Sequence, residues 1–145
     1  MIREGGIAFC LAVAASSGMP ACQSASKREA VALDEAVEQY RRATDPSKDT
    51  QSLRIAGLAC SEAPICDAKQ ACVAAVGPTT RALRLKDEVA AAVGELESHK
   101  LDPASADAQA LPGKLSEAKA LLEEGRAKMD ECDRKLADLR LRYGP

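Results

Sequence analysis

The residues in this chain best suited to ligate a metal, react or cross-link are six cysteines, Cys10, Cys22, Cys60, Cys66, Cys72 and Cys132, and one histidine, His99. Zinc clusters typically leave two to four residues between paired ligands, whereas Cys60, Cys66 and Cys72 are each separated by five. A dithiol redox centre of the Cys-x-x-Cys kind is absent. His99 stands beside Lys100 near the end of a helical segment, a place for a capping or solvent-facing side chain. There is no G-x-S-x-G elbow to expose a nucleophilic serine, and no glycine-rich phosphate loop. The carboxylates are interleaved with basic neighbours, a solvated pattern that gives no reason for a raised pKa. The expectation is a non-enzymatic protein with no catalytic residues, cofactor or metal, whose cysteines serve as cross-links and, in one case, as an anchor.

The anchor reading comes from the N-terminus. Met1 to Gly6 is weakly basic, Ile7 to Ala15 is an apolar run, and Ser16-Ser17-Gly18 interrupts it before Met19-Pro20-Ala21-Cys22. The apolar run is far shorter than the roughly 20 residues that span a bilayer, and suits the core of a signal peptide. The segment resembles the signal sequence of a bacterial lipoprotein, with Ala21 directly before the cysteine and Met19 where the family usually has Leu. Pro20 departs from the usual pattern. The resemblance implies removal of residues 1–21 and acylation of Cys22. Two or more chains, at about 0.8 kcal/mol per buried CH₂, hold such a protein firmly on a membrane. Gln23, rather than Asp, follows the cysteine, which by the same resemblance in a Gram-negative cell implies the outer membrane, facing the periplasm. The alternative is ordinary cleavage after Ser24-Ala25-Ser26.

Either cleavage leaves Cys60, Cys66, Cys72 and Cys132 to pair, an even number for a compartment that permits disulfides. The remaining length suits one helical domain with its own core. The formal net charge is −2 with both signs interspersed, so no basic stripe offers itself to phosphates and nucleic acid is not expected as a partner. Tyr40 and Tyr143 are the aromatic residues beyond Phe9, too few for a stacking platform.

The chain is rich in Ala, Leu, Glu, Lys and Arg, and no segment alternates as a strand does. The expectation is an all-α fold: a single disulfide-stapled bundle of about five helices at residues 28–145, after a lipidated tether at residues 22–27. Helix one runs from about Lys27 to Ala43 on a seam of Ala30, Leu33, Val37 and Tyr40. Helix two starts with Asp45 as cap and Pro46 as first residue. It buries either Leu53, Ala56 and Cys60 or Ile55 and Leu58. Helix three, capped by Ser61, presents Ile65, Ala68, Cys72, Val73 and Val76. Gly77-Pro78 ends it or kinks it into helix four, Thr79 to about Lys100. A connector with one helical turn follows, closed by Pro112-Gly113. The long last helix carries Leu115, Ala118, Leu122, Gly125, Met129, Cys132, Leu136, Leu139 and Tyr143 at alternating spacings of three and four. Its wet side offers Glu124–Lys128, Asp130–Arg134 and Glu131–Lys135 pairs. Packing within the bundle is favoured over a homodimer seam, because Ala118 and Gly125 weaken a two-stranded zipper.

Helix geometry narrows the disulfides. Cys66 and Cys72 on one helix would stand about 9 Å apart in rise, beyond disulfide reach. Cys60 at the preceding corner is farther still from Cys72. The pairing left is Cys60–Cys66 across the corner and Cys72–Cys132 from helix three to the last helix. Two functional classes remain: an envelope scaffold that meets another envelope protein, and a periplasmic bundle that binds a small ligand or lipid in a gap left by its alanines.

Overall fold

The computed structural model describes residues 24–144, and their regular structure is four helices: α1 (Ala25–Arg42), α2 (Asp45–Gly57), α3 (Ala63–Glu97) and α4 (Ala106–Tyr143). Cys10, Cys22 and the N-terminal apolar segment lie outside the described residues. None of the described helices is long and apolar enough to cross a membrane.

The all-helical, disulfide-stapled expectation holds, with four helices in place of about five. The difference lies at two prolines. Pro78 lies inside α3, so of the two alternatives there the chain runs on rather than ending, and Pro112 lies inside α4, where a break was expected. A proline in a helix interior removes the bond to the carbonyl four residues back, at a cost of about 3 kcal/mol. At Pro78 that carbonyl belongs to Ala74, which is exposed, as is Gly77. Ala75, Val76, Thr80 and Ala82 are buried on either side, so the packed face runs uninterrupted past the lost bond. The buried Thr80 hydroxyl donates to the Val76 carbonyl at 2.9 Å, and the Tyr40 hydroxyl donates to the same oxygen at 3.4 Å. Pro112 is exposed beside the buried Leu111, and Ser105 caps the longer α4 by accepting from the Ala108 N–H.

Other helix starts shift by a residue or two. Ser24 caps α1, accepting from the Lys27 N–H, so Ala25, Ser26 and Lys27, expected in the tether, are helical. Thr44 stands at the cap of α2 and Asp45 in its first turn, while Glu62 rather than Ser61 precedes α3. The shift at α2 costs nothing, because the first turn leaves its N–H groups without intrahelical partners and tolerates Pro46 at either position.

α3 and α4 form a long antiparallel hairpin, about 52 and 57 Å by helical rise. α1 lies parallel to α3, as the Ser26–Glu62 and Tyr40–Val76 contacts require, and antiparallel to α4, as Asp34–Arg140 and Arg41–Asp133 require. α2 returns antiparallel to α3, with Lys69 donating to the Leu58 carbonyl at one end and Lys86 bridging Asp45 at the other. The principal core therefore fills one half of the hairpin: Leu33, Val37, Tyr40, Ile55, Ile65, Ala68, Cys72, Val76, Cys132, Leu136 and Leu139. Of the two faces expected for α2, Ile55 is fully buried and Leu58 half-buried, whereas Leu53 is exposed. Beyond Lys86 only α3 and α4 remain, and Val89, Leu111 and Ala118 are buried between them.

The α4 seam resolves into two rows. Leu111, Ala118, Gly125, Cys132 and Leu139 recur every seven residues and are all buried. In the second row Leu115 and Leu122 are exposed, Met129 is half-buried and Leu136 is buried. That gradient follows the cover: α1 flanks the hairpin beside Leu136 and ends at Arg42, so the row emerges into solvent farther along. The expected Asp130–Arg134 pair is replaced by Glu131–Arg134, while Glu124–Lys128 forms at 2.5 Å.

Candidate functional site

The sulfur atoms of Cys60 and Cys66, and of Cys72 and Cys132, are bonded in pairs. The first joins the α2–α3 corner to the first turn of α3, with Cα atoms 5.1 Å apart. The second ties α3 to α4 at a Cα separation of 4.6 Å, and both of its cysteines are fully buried. The described residues contain no cluster of three or more metal-ligating side chains. His99 sits at the hairpin tip, far from every cysteine along the fold. It has φ 57°, and the Lys100 and His99 N–H groups donate to the Glu95 and Leu96 carbonyls, a left-handed cap of the kind usually given to glycine.

One pole of the molecule gathers the beginning of α1, the start of α3 and the end of α4. The Ser26 hydroxyl and the Tyr143 hydroxyl both donate to the Glu62 carboxylate, the latter at 2.5 Å. Those donors, Ser26 first, hold the Glu62 carboxyl below its ordinary range. Glu29 accepts from the Ser61 N–H at 2.7 Å and from its hydroxyl at 2.8 Å, closing the α2–α3 corner onto α1. Ser24 caps α1 at this pole, accepting from the Lys27 N–H.

A second feature lies on the flank where α1 ends. An open cleft of about 530 Å³ is lined by Tyr40, Arg41, Lys48, Thr79 and an α4 stretch from Lys119 to Met129. Its floor is deep because Gly125 brings the two long helices together. A Cβ there would meet the Thr79 hydroxyl and stand 3.1 Å from the Ala75 carbonyl oxygen. Leu122 and Met129 supply apolar walls, and burial pushes the Tyr40 hydroxyl above its ordinary pKa, so it stays neutral.

Around that apolar centre stand Arg41, Lys48, Lys119 and Arg126, with Glu123 as the one carboxylate of the lining. Lys48 donates to the Tyr40 carbonyl at 2.8 Å and lies 4.7 Å from the ring centroid. Arg41 bridges Glu38 and Asp133. Lys119 and Arg126 make no ion pair within the described residues.

Sequence reasoning missed this cleft because its cations come from three helices. The signal within α4 is Lys119, Leu122 and Arg126 at spacings of three and four, a cation–apolar–cation stripe along one helical face. The cleft lies open at the surface, where the cover of α1 runs out, and no alanine lines it. Comparison with protein-family models, with curated proteins and with solved structures gives no match to this chain.

Proposed function

We propose that this protein is an exported, lipid-anchored component of the bacterial cell envelope, acylated at Cys22 and acting as a non-enzymatic scaffold. The observation that carries the reading is the allocation of cysteines. Every cysteine of residues 24–144 sits in a cross-link, as suits an oxidising compartment. Cys10 falls in the apolar segment that this reading removes, and Cys22, at the end of Met19-Pro20-Ala21-Cys22, is then the cysteine left for a different covalent fate.

The geometry supports a standing orientation. The N-terminal end of α1 joins the pole formed by Ser26, Glu62 and Tyr143, while the hairpin tip at His99 lies at the opposite end of helices more than 50 Å long by rise. Anchored there, the hairpin projects away from the membrane and offers its far half to another envelope protein. Gln23 supports the outer membrane as the site of attachment in a Gram-negative cell.

Intact-mass analysis and detergent-phase partitioning of the native protein and its Cys22→Ala variant test the anchor. The expected result is a mature N-terminus at Cys22 carrying acyl mass, with partitioning lost in the variant. An unlipidated N-terminus at Lys27 overturns it. Hydrolysis of a substrate panel above background, lost on changing His99, would overturn the non-enzymatic reading. The cleft beside α1 favours ligand binding as a second role.

A further inference from the structure

We propose that the cleft at the end of α1 binds a single-chain anionic amphiphile, an acyl chain with one negatively charged head. The argument starts from what the fold leaves bare. The row Leu115, Leu122, Met129 and Leu136 is covered by α1 at its Leu136 end and exposed at its Leu122 end. The cleft opens where that cover stops, so its apolar walls continue a core whose fourth side is missing. At about 530 Å³ it falls within the 300–1,000 Å³ typical of small-molecule sites.

Charge selects the occupant. Four cations and one carboxylate border the cleft, on a chain whose formal net charge is −2. Arg41 is held by Glu38 and Asp133, and Lys48 by the Tyr40 carbonyl. Among the described residues Lys119 and Arg126 are the lining cations held by neither a carboxylate nor a carbonyl, and they flank Leu122 one turn away on either side. An anionic head placed between them leaves its tail against Leu122, Met129 and Thr79. A neutral chain satisfies only the walls, and an inorganic anion only the rim.

Position separates a free amphiphile from a bilayer lipid. The α4 segment from Arg126 to Tyr143 rises about 25 Å, so the cleft stands well away from the pole where Ser24 caps α1. The site therefore takes a molecule that has left the bilayer. That separation by position rests on acylation of Cys22; binding of the amphiphile at the cleft does not.

The test titrates palmitate, palmitoyl lysophosphatidic acid, cetyl alcohol and inorganic phosphate into the full chain carrying Cys22→Ala, by calorimetry and native mass spectrometry. The same ligands are titrated into that chain with Lys119→Gln and Arg126→Gln added, and separately with Leu122→Asp. Saturable one-to-one binding of at least one anionic amphiphile is expected, and which of the two binds tighter assigns the head as carboxylate or phosphate. Loss of two charge-assisted contacts should weaken it by about tenfold or more, leaving cetyl alcohol unaffected. Leu122→Asp should weaken every chain-bearing ligand. Circular dichroism and thermal midpoints close to those of the parent keep a folding defect from imitating these losses. Absence of binding, equal affinity for cetyl alcohol, or an unchanged affinity in the double Gln variant overturns the proposal. Displacement of the amphiphile by equimolar phosphate would make this a simple anion site, and a dimer undisturbed by saturating amphiphile would give the Leu122 row to a second copy.

Discussion

Two residues set the backbone geometry at opposite ends of the hairpin's exposed half. Gly125 lets α4 approach the α3 backbone, and Gly125→Ala places a methyl against the Thr79 hydroxyl and near the Ala75 carbonyl. The hydroxyl can turn away; the carbonyl, held in a helix, cannot. We expect Gly125→Ala to lower stability by about 1–3 kcal/mol, as overpacking does, read from denaturant midpoints at constant slope. His99 holds a left-handed conformation, which costs a side-chain-bearing residue roughly 1–2 kcal/mol. His99→Gly relieves that strain but loosens the unfolded chain, so a net gain of about 0.5–1 kcal/mol is expected from the same measurement. A loss would mean that the imidazole makes a stabilising contact at the tip.

Among the elements, the pairing of α3 with α4 has a covalent component of its own. Cys72 and Cys132 close a loop of 60 residues between fully buried positions. The chain-entropy model gives about 4 kcal/mol for that closure and about 2 kcal/mol for the short Cys60–Cys66 loop. Replacing Cys72 and Cys132 by Ala should therefore cost more than replacing Cys60 and Cys66, measured by chemical denaturation of the two double variants. The fold was legible in the sequence where periodicity and burial coincide. The α1 seam of Ala30, Leu33, Val37 and Tyr40 is buried throughout, and the spacing of cysteines on helices led to the pairing observed. It was left undecided at Pro78 and missed at Pro112, because local sequence states the cost of a proline but not how the packed face continues past it. Nor was the exposure of Leu115 and Leu122 legible, since a heptad pattern does not say where a third helix stops. The cleft followed the same rule: Lys48, Arg41 and Arg126 are unremarkable surface cations until the fold gathers them around Leu122.

At the scale of the whole molecule, packing is graded from one pole to the other. Near Cys72 and Cys132, α1 and α2 complete the core; beyond Lys86 two helices rely on each other. Local opening is easiest where apolar contacts are few. Backbone amides of Ala92 to Glu97 and of Gln109 to Glu117 should exchange with solvent faster than those around Cys72 and Cys132, as native-state hydrogen exchange would register. Equal protection along both helices would mean that the far half is buttressed by another copy or partner. The placement of the two cross-links has a mechanical consequence. They bind α2's exit to α3 and α3 to α4, while α1 joins the rest through packing, exposed ion pairs such as Arg140–Asp34, and the short link at Ala43 and Thr44. In a chain tethered at its N-terminus and pulled from the hairpin tip, α1 is the first part to yield. It peels away as an extensible leash, and the unit fastened by sulfur keeps its shape under load.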